Sequence, residues 1–224
     1  MSKRGLGTLF IFVSLSILAL VACQRSSDQA TEPQAQADEV PEVVKPWGEM
    51  GLHRFSELRW EQGADTFAGL EVAVVGEDPA SGSKAMYVKV PRKQADERLH
   101  VHSANSHSVV LEGEVSVLID GQKMTGKKGD YFFTPANVVH SDSIIDLESG
   151  ATMFMITEGK FDTQLATPDV KFPAADLESW GAAQLHSPER LQWVQGEGSF
   201  AGVRTAVVSK NRKTGASAMF SRQS

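Results

Sequence analysis

Cysteine is nearly missing from this chain: Cys23 is the only one among 224 residues. A disulfide framework is therefore excluded, and so is a metal cluster built on several cysteines of one chain. A basic surplus is missing too. Lys and Arg number 22 against 28 Asp and Glu, a formal net charge of −6, so nucleic-acid binding has no electrostatic footprint. Long amphipathic helical periods are absent. The one long apolar run, residues 6–22, sits at the lower length limit for a membrane span. What remains is a globular composition. With 41% hydrophobic and 22% charged residues, the chain is too apolar and too mixed in sign to be wholly disordered.

Lys3 and Arg4 precede the apolar run, which stops at Cys23. A charged start, an apolar middle and small residues before a cut are the layout of a secretory signal peptide. The competing reading is an uncleaved membrane anchor. Leu20-Val21-Ala22-Cys23 resembles a bacterial lipobox. That resemblance implies that residues 1–22 are removed and that Cys23 is lipidated, giving a membrane attachment through the N-terminal lipid. Gln24 in place of an aspartate implies the outer membrane of the cell envelope, facing the periplasm. Residues 23–45 then comprise the lipidated cysteine and a disordered tether rich in Gln, Ala, Ser, Pro and acids.

Self-similarity organises the rest. Residues 47–86 align without a gap on 180–219, an offset of 133, with 17 identities in 40 positions. LRWEQGADTFAGLEVAVVG faces LQWVQGEGSFAGVRTAVVS, and all four tryptophans fall in the repeat. We expect a complete domain over 46–160. Residues 161–224 are expected to be a linker and a truncated second repeat, which stops before the segment that carries the histidine cluster in the first.

The first copy reads as all-β. LEVAVVG (70–76) and KAMYVKV (84–90) are strand-like runs around the turn cluster DPASGS. RLHVH (98–102) alternates, and HSVVLEGEVSVLID (107–120) is two strands or one bent strand broken at Glu112-Gly113. Asp120-Gly121 is a favoured hairpin dipeptide leading into QKMTG. YFFTP (131–135) and TMFMITEG (152–159) complete the set. Short strands at this spacing indicate a sandwich or a barrel. ADLESWGAAQL is expected to form one short helical turn.

Four of the six histidines, His100, His102, His107 and His140, lie within 41 residues; His53 and His186 are repeat equivalents with a structural or surface reading. In a strand, His100 and His102 share a face. His107 has the opposite parity and joins them only if Ser103–Ser106 resets the face. Imidazole clusters suit divalent transition metals, while the alternative is a polar pocket without metal. Glu97, Glu112 and Asp142 are candidate proton-transfer groups or solvated turn residues. Met86, Met153, Met155, Tyr87, Phe132 and Phe133 either line a cavity or pack a β core.

HVHSANSHSVVLEGEV followed by GDYFFTPANVVH resembles the two motifs of the cupin superfamily (RmlC-like). His100, His102 and Gly113 match the first motif; Gly129, Pro135 and His140 match the second. The usual glutamate is absent, and its two permitted slots hold Ser106 and His107. The pattern is similar to ChrR-like and other bacterial two-cupin families of unknown function, in which a histidine can stand at the glutamate position. The resemblance implies a cupin double-stranded β-helix, or jelly-roll barrel, with a partial second repeat. It further implies His100, His102, His107 and His140 as ligands of a divalent metal (Fe, Zn, Mn, Ni or Cu).

Two functional expectations follow. One is a metal-dependent dioxygenase or isomerase acting on a small carbonyl or anionic compound. The other is a non-catalytic metal- or ligand-binding sensor at the cell envelope. The partners expected are a small molecule, the membrane and a second copy of the chain in a homodimer, with no nucleic acid.

Overall fold

The structure, a computed structural model, describes residues 54–64, 67–91, 96–119, 121–144, 150–198 and 201–223. Cys23, the expected signal peptide 1–22, the expected tether 23–45 and His53 lie outside these. Among the described residues, no helix is long and apolar enough to cross a membrane.

Among the described residues the chain folds into antiparallel strands and two single-turn 3-10 helices, Phe55–Glu57 and Pro188–Arg190. The strands of the first copy are β1 (Glu61–Gln62), β2 (Glu71–Asp78), β3 (Ser83–Val90), β4 (Asp96–His102), β5 (Ser106–Glu112), β6 (Glu114–Ile119), β7 (Gln122–Lys127), β8 (Tyr131–Thr134), β9 (His140–Ile144) and β10 (Ala151–Thr157). They are followed by β11 (Thr163–Leu165), β12 (Gln184–His186), β13 (Val194–Gln195), β14 (Val203–Lys210) and β15 (Ser217–Gln223).

Three sheets result. One has the order β1-β2-β3-β10-β5-β8-β12, the second β11-β4-β9-β6-β7, and the third β13-β14-β15. The first two face each other as a jelly roll. Their shared core takes Val110, Phe132 and Ala151 from one sheet and Val115, Val117 and Ile119 from the other. Neighbouring residues on each strand point out of this core, as the period-2 pattern requires.

The expected breaks are present. β5 and β6 part at Gly113, which adopts φ +76°; a Cβ there would lie 2.2 Å from the carbonyl oxygen of Gly150, so only glycine fits. β6 and β7 pair with Ile119 opposite Gln122, and Gly121 adopts φ +73° between them, while Asp120 lies outside the described residues. The turn between β2 and β3 is closed by Asp78, whose carboxylate accepts hydrogen bonds from the Ala80 N–H at 3.1 Å and the Ser81 hydroxyl at 2.6 Å.

The segment ADLESWGAAQL differs from expectation, forming a tight turn at 177–179 and no helix. Asp176 accepts hydrogen bonds from the Ser179 N–H and hydroxyl, which closes the turn locally. Gly181, at φ +90°, then diverts the chain, and Trp180 is drawn into a core.

Residues 180–223 cover the barrel's outer side. β12 extends the first sheet by pairing with β8, Leu185 opposite Phe132. The third sheet packs through Val208 and Phe220 onto Val109, Tyr131 and Phe133, with Trp180 between them.

Candidate metal centre

The first pair of candidate ligands is fixed by one strand. His100 and His102 alternate with Leu99 and Val101 on β4, so both imidazoles enter the barrel. β9 runs antiparallel beside it and places His140 directly opposite His100. Two residues further on, Asp142 takes the same face as His140. The candidate ligand atoms of His100, His102, His140 and Asp142 all lie within 4.8 Å of one another. The three rings form a near-equilateral triangle, with centroid separations of 4.5, 4.9 and 4.9 Å.

The rings are aimed by their second nitrogens. His100 Nδ1–H donates to the Arg98 carbonyl at 2.9 Å, and His140 Nδ1–H donates to the Val138 carbonyl at 2.8 Å. A carbonyl can only accept, so both Nδ1 atoms carry the proton, and Nε2 is the atom each ring would offer to a metal. His102 Nδ1 lies 3.0 Å from Thr163 Oγ1. Phe161 stacks on His102 with centroids 4.1 Å apart, and Phe67 stacks on Phe161 in turn.

Electrostatics favour the ligating forms. Burial, reinforced by His140, pushes the His102 pKa down to about 3. Burial also lowers that of His140, against the opposing pull of Asp142. For Asp142, burial acts to raise the pKa, but the close approach of His100 and the histidines around it outweigh this and hold the carboxyl below the usual carboxylate range. His100 Nε2 approaches Asp142 Oδ2 to 3.4 Å. At neutral pH the cluster therefore offers the neutral His102 and His140 imidazoles and the Asp142 carboxylate, with His100 beside them. That donor set fits a divalent transition metal.

The cluster opens on a cavity of about 170 Å³. Its walls are mainly apolar, with Val88, Val117, Phe132, Met153 and Met155 among them, and Ser106, Ser108, Thr134 and Thr163 supply hydroxyls. Of the candidate lining residues from the sequence, Phe132, Met153 and Met155 line this space. Met86 is buried in the core. Tyr87 packs outside the cavity against Phe55 and Phe154, and Phe133 faces Trp180.

The geometry does not bring His107 into the group. β4 and β5 belong to different sheets, and Ser106 and Ser108 take the cavity side of β5. His107 therefore points outward. Its Nδ1 lies 2.7 Å from Tyr131 Oη, its Nε2 lies 3.2 Å from Glu158 Oε1, and its ring meets Trp180 edge-on. Asp142, read from sequence as a proton-transfer candidate, completes the cluster instead. The available signal was its spacing: His140-Ser-Asp142 repeats the i, i+2 pattern of His100-Val-His102. Glu112 is exposed at the end of β5. His186 lies on β12 with its ring near Tyr131, away from the cluster.

Fold and site together define a jelly roll with a three-histidine, one-carboxylate cluster at its cavity. Residues 86–156 match the family model for the cupin domain. The chain is similar to a structure from Nostoc punctiforme described as a candidate dioxygenase, with 15% identity and a TM-score of 0.57, covering 72% of this chain. It spans 56% of that protein's length. An RmlC-like cupin from Ralstonia eutropha is 16% identical with a TM-score of 0.46, covering 57% of this chain and 79% of the other. The salicylate 1,2-dioxygenase of Pseudaminobacter salicylatoxidans is 16% identical with a TM-score of 0.37, covering 45% and 32%. At 15% identity the likeness to the first of these is one of fold alone. No curated protein sequence matches the chain.

Proposed function

We propose that this protein is a metal-binding cupin that holds one divalent transition ion on His100, His102, His140 and Asp142 and receives a small molecule beside it. The observation that carries this reading is the convergence of four ligand atoms within 4.8 Å on a mainly apolar cavity. A divalent ion there acts as a Lewis acid toward an oxygen donor. The single carboxylate compensates only part of its charge, which favours an anionic or enolisable ligand oxygen. The cavity is smaller than the 300–1,000 Å³ typical of sites for drug-sized ligands, so the partner is compact. The apolar walls exclude water and orient the ligand body, while the Ser106, Ser108, Thr134 and Thr163 hydroxyls offer hydrogen bonds. The enzymatic form of this reading is oxygenation or isomerisation of a small carbonyl compound. The lipobox pattern supports an envelope location, with the domain tethered through Cys23.

Elemental analysis of the purified protein beside a His100→Ala/His102→Ala double variant tests the metal. About one equivalent of metal in the wild type and little in the variant is the expected result. Equal metal in both, or none in either after incubation with Fe, Zn, Mn, Ni and Cu, overturns the reading.

A further inference from the structure

The second repeat has no part in the cluster, yet one chain of hydrogen bonds leads from it to the loops that carry the ligands. It begins at Trp180, which is 5% exposed at the seam between barrel and repeat. Trp180 Nε1–H donates to Glu158 Oε2 at 2.9 Å. The same oxygen accepts Asn105 Nδ2–H at 2.8 Å, and the Glu158 N–H donates to the Asn105 carbonyl at 3.0 Å. Asn105 lies in the turn between His102 and β5. Its Oδ1 accepts the Ala136 N–H at 2.8 Å, and the next amide, Asn137 N–H, donates to the His102 carbonyl at 2.8 Å.

The loop held in this way, 135–139, delivers His140. Asn137 within it sits at φ +62°, in the left-handed region that few non-glycine residues adopt. Asparagine adopts that region more readily than other side-chain-bearing residues, and the Ala136 and Asn137 amide bonds then fix which loop conformation is kept. The anchoring amides are therefore the groups that keep His140 in register with His102. Glu158 is the junction: His107 approaches its other oxygen, so the carboxylate has partners on both oxygens at once. Removing one donor loosens a shared node and not an isolated bond.

We propose that the second repeat braces the metal centre, with Trp180, Glu158 and Asn105 acting as positioning residues that fix the His102 and His140 loops and raise metal affinity. This rests on the metal reading given above. It assigns the repeat a role in setting the site, in addition to covering the barrel.

The test uses the full chain and two readouts: Co²⁺ titration followed by its d–d absorption, and hydrogen exchange at the Ala136 and Asn137 amides without metal. Trp180→Phe keeps the ring in the core but removes the donor. It is expected to weaken Co²⁺ binding about threefold to tenfold, below the 10–100-fold typical for partners bonded directly to a ligand, and to alter the d–d band. Exchange at the two amides should speed up in parallel. Glu158→Gln, which preserves shape but turns an N–H toward one of its donors, should do the same and serves if Trp180→Phe does not fold. Trp193→Phe is the control. It deletes the hydrogen bond to the Pro188 carbonyl inside the same repeat and should leave both readouts unchanged.

Wild-type behaviour of a folded Trp180→Phe or Glu158→Gln in both readouts overturns the brace. Equal loss in Trp193→Phe also overturns it, because the effect is then general loosening. A wild-type chain that takes up no Co²⁺ removes the metal reading and the affinity half of this one; faster exchange in Trp180→Phe but not in Trp193→Phe still supports the bracing itself, and its absence overturns it.

Discussion

The strands β1–β3 and β13–β15 are two copies of one sequence repeat, identical at 17 of 40 aligned positions, folded in different surroundings. Their local structures agree in detail. A one-turn 3-10 helix begins at 55 and again at 188, and a two-residue strand begins at 61 and again at 194. Asp78 closes the first turn by accepting from the Ala80 N–H; Asn211 closes the second by accepting from the Lys213 N–H, 133 positions on. The pairing slips between Val74 and Gly76, and again between Val207 and Ser209. What differs is the second edge and the inner face. β3 pairs with β10 and puts Val88 and Val90 into the cavity wall. Among the described residues nothing pairs with the corresponding edge of β15, where Ser221 and Gln223 stand at those two positions. Local sequence is thus enough to build the meander, but a cavity needs apolar residues on its inner face and a strand to close beside it.

The largest effect that separates the two regions concerns the metal. His140→Ala should reduce metal affinity more than 100-fold, because a ligand is lost from a four-member set. His186→Ala, on the second repeat, should leave affinity within about twofold of wild type. A calorimetric titration of both variants decides it, and comparable losses would mean that the centre is not where the cluster lies.

The next effect concerns packing. Phe220 and Tyr87 are repeat equivalents, but Phe220 is 2% exposed at the seam with the barrel while Tyr87 is only partly buried. Phe220→Ala should cost about 3–5 kcal/mol of stability and Tyr87→Ala distinctly less. Denaturant unfolding of the two variants gives the ordering. A reversed order would mean that the third sheet is not held through its Phe220 face.

Much of this fold is legible in the sequence because β periodicity and turn chemistry are local. Gly113, Gly121 and Asp78 each stop a strand for reasons visible within a few residues. The pairing of His100 with His102 is equally local. The identity of the fourth member is not, since it depends on which strands become neighbours. Parity along β4 says nothing about His107 once β5 belongs to the other sheet, and Asp142 joins only because β9 runs beside β4. The absence of the motif glutamate was readable. That a carboxylate from the His140 strand approaches the same cluster required the register.

Acid should separate the regions more modestly. In the unfolded chain His102 titrates near 6.5, whereas burial holds it near 3 in the fold. Between those values the unfolded state binds a proton that the native state refuses, so stability falls as pH drops through that window. His140 is shifted in the same direction and adds to the loss. Asp142, with a lowered pKa, contributes stability above the unfolded carboxylate range that is lost on further acidification. The metal-free protein should therefore melt at progressively lower temperature from pH 7 to pH 4. His102→Gln should flatten this slope more than His186→Gln, whose parent ring is less buried. A flat profile in the wild type, read by scanning fluorimetry in chelator, would contradict the buried neutral cluster.

The smallest difference tests whether the repeats remain energetically equivalent where their geometry is. Lys89 Nζ lies 3.6 Å from the Trp60 ring centroid, and Arg222 Cζ lies 4.0 Å from that of Trp193. These pairs occupy the same repeat positions. Lys89 also has Glu71 within 3.8 Å, so its charge is shared with a carboxylate. The position equivalent to Glu71 is Arg204, which removes that competitor from the second pair. A planar guanidinium also stacks on an indole with less desolvation than an ammonium. Arg222→Ala should therefore cost about 0.5–1 kcal/mol, and Lys89→Ala about half as much. Since each variant also loses apolar stem contacts, Arg222→Met and Lys89→Met should be measured alongside. If the methionine variants are as stable as wild type at both positions, the charge contributes nothing, and the repeated cation–π geometry reflects stem packing alone.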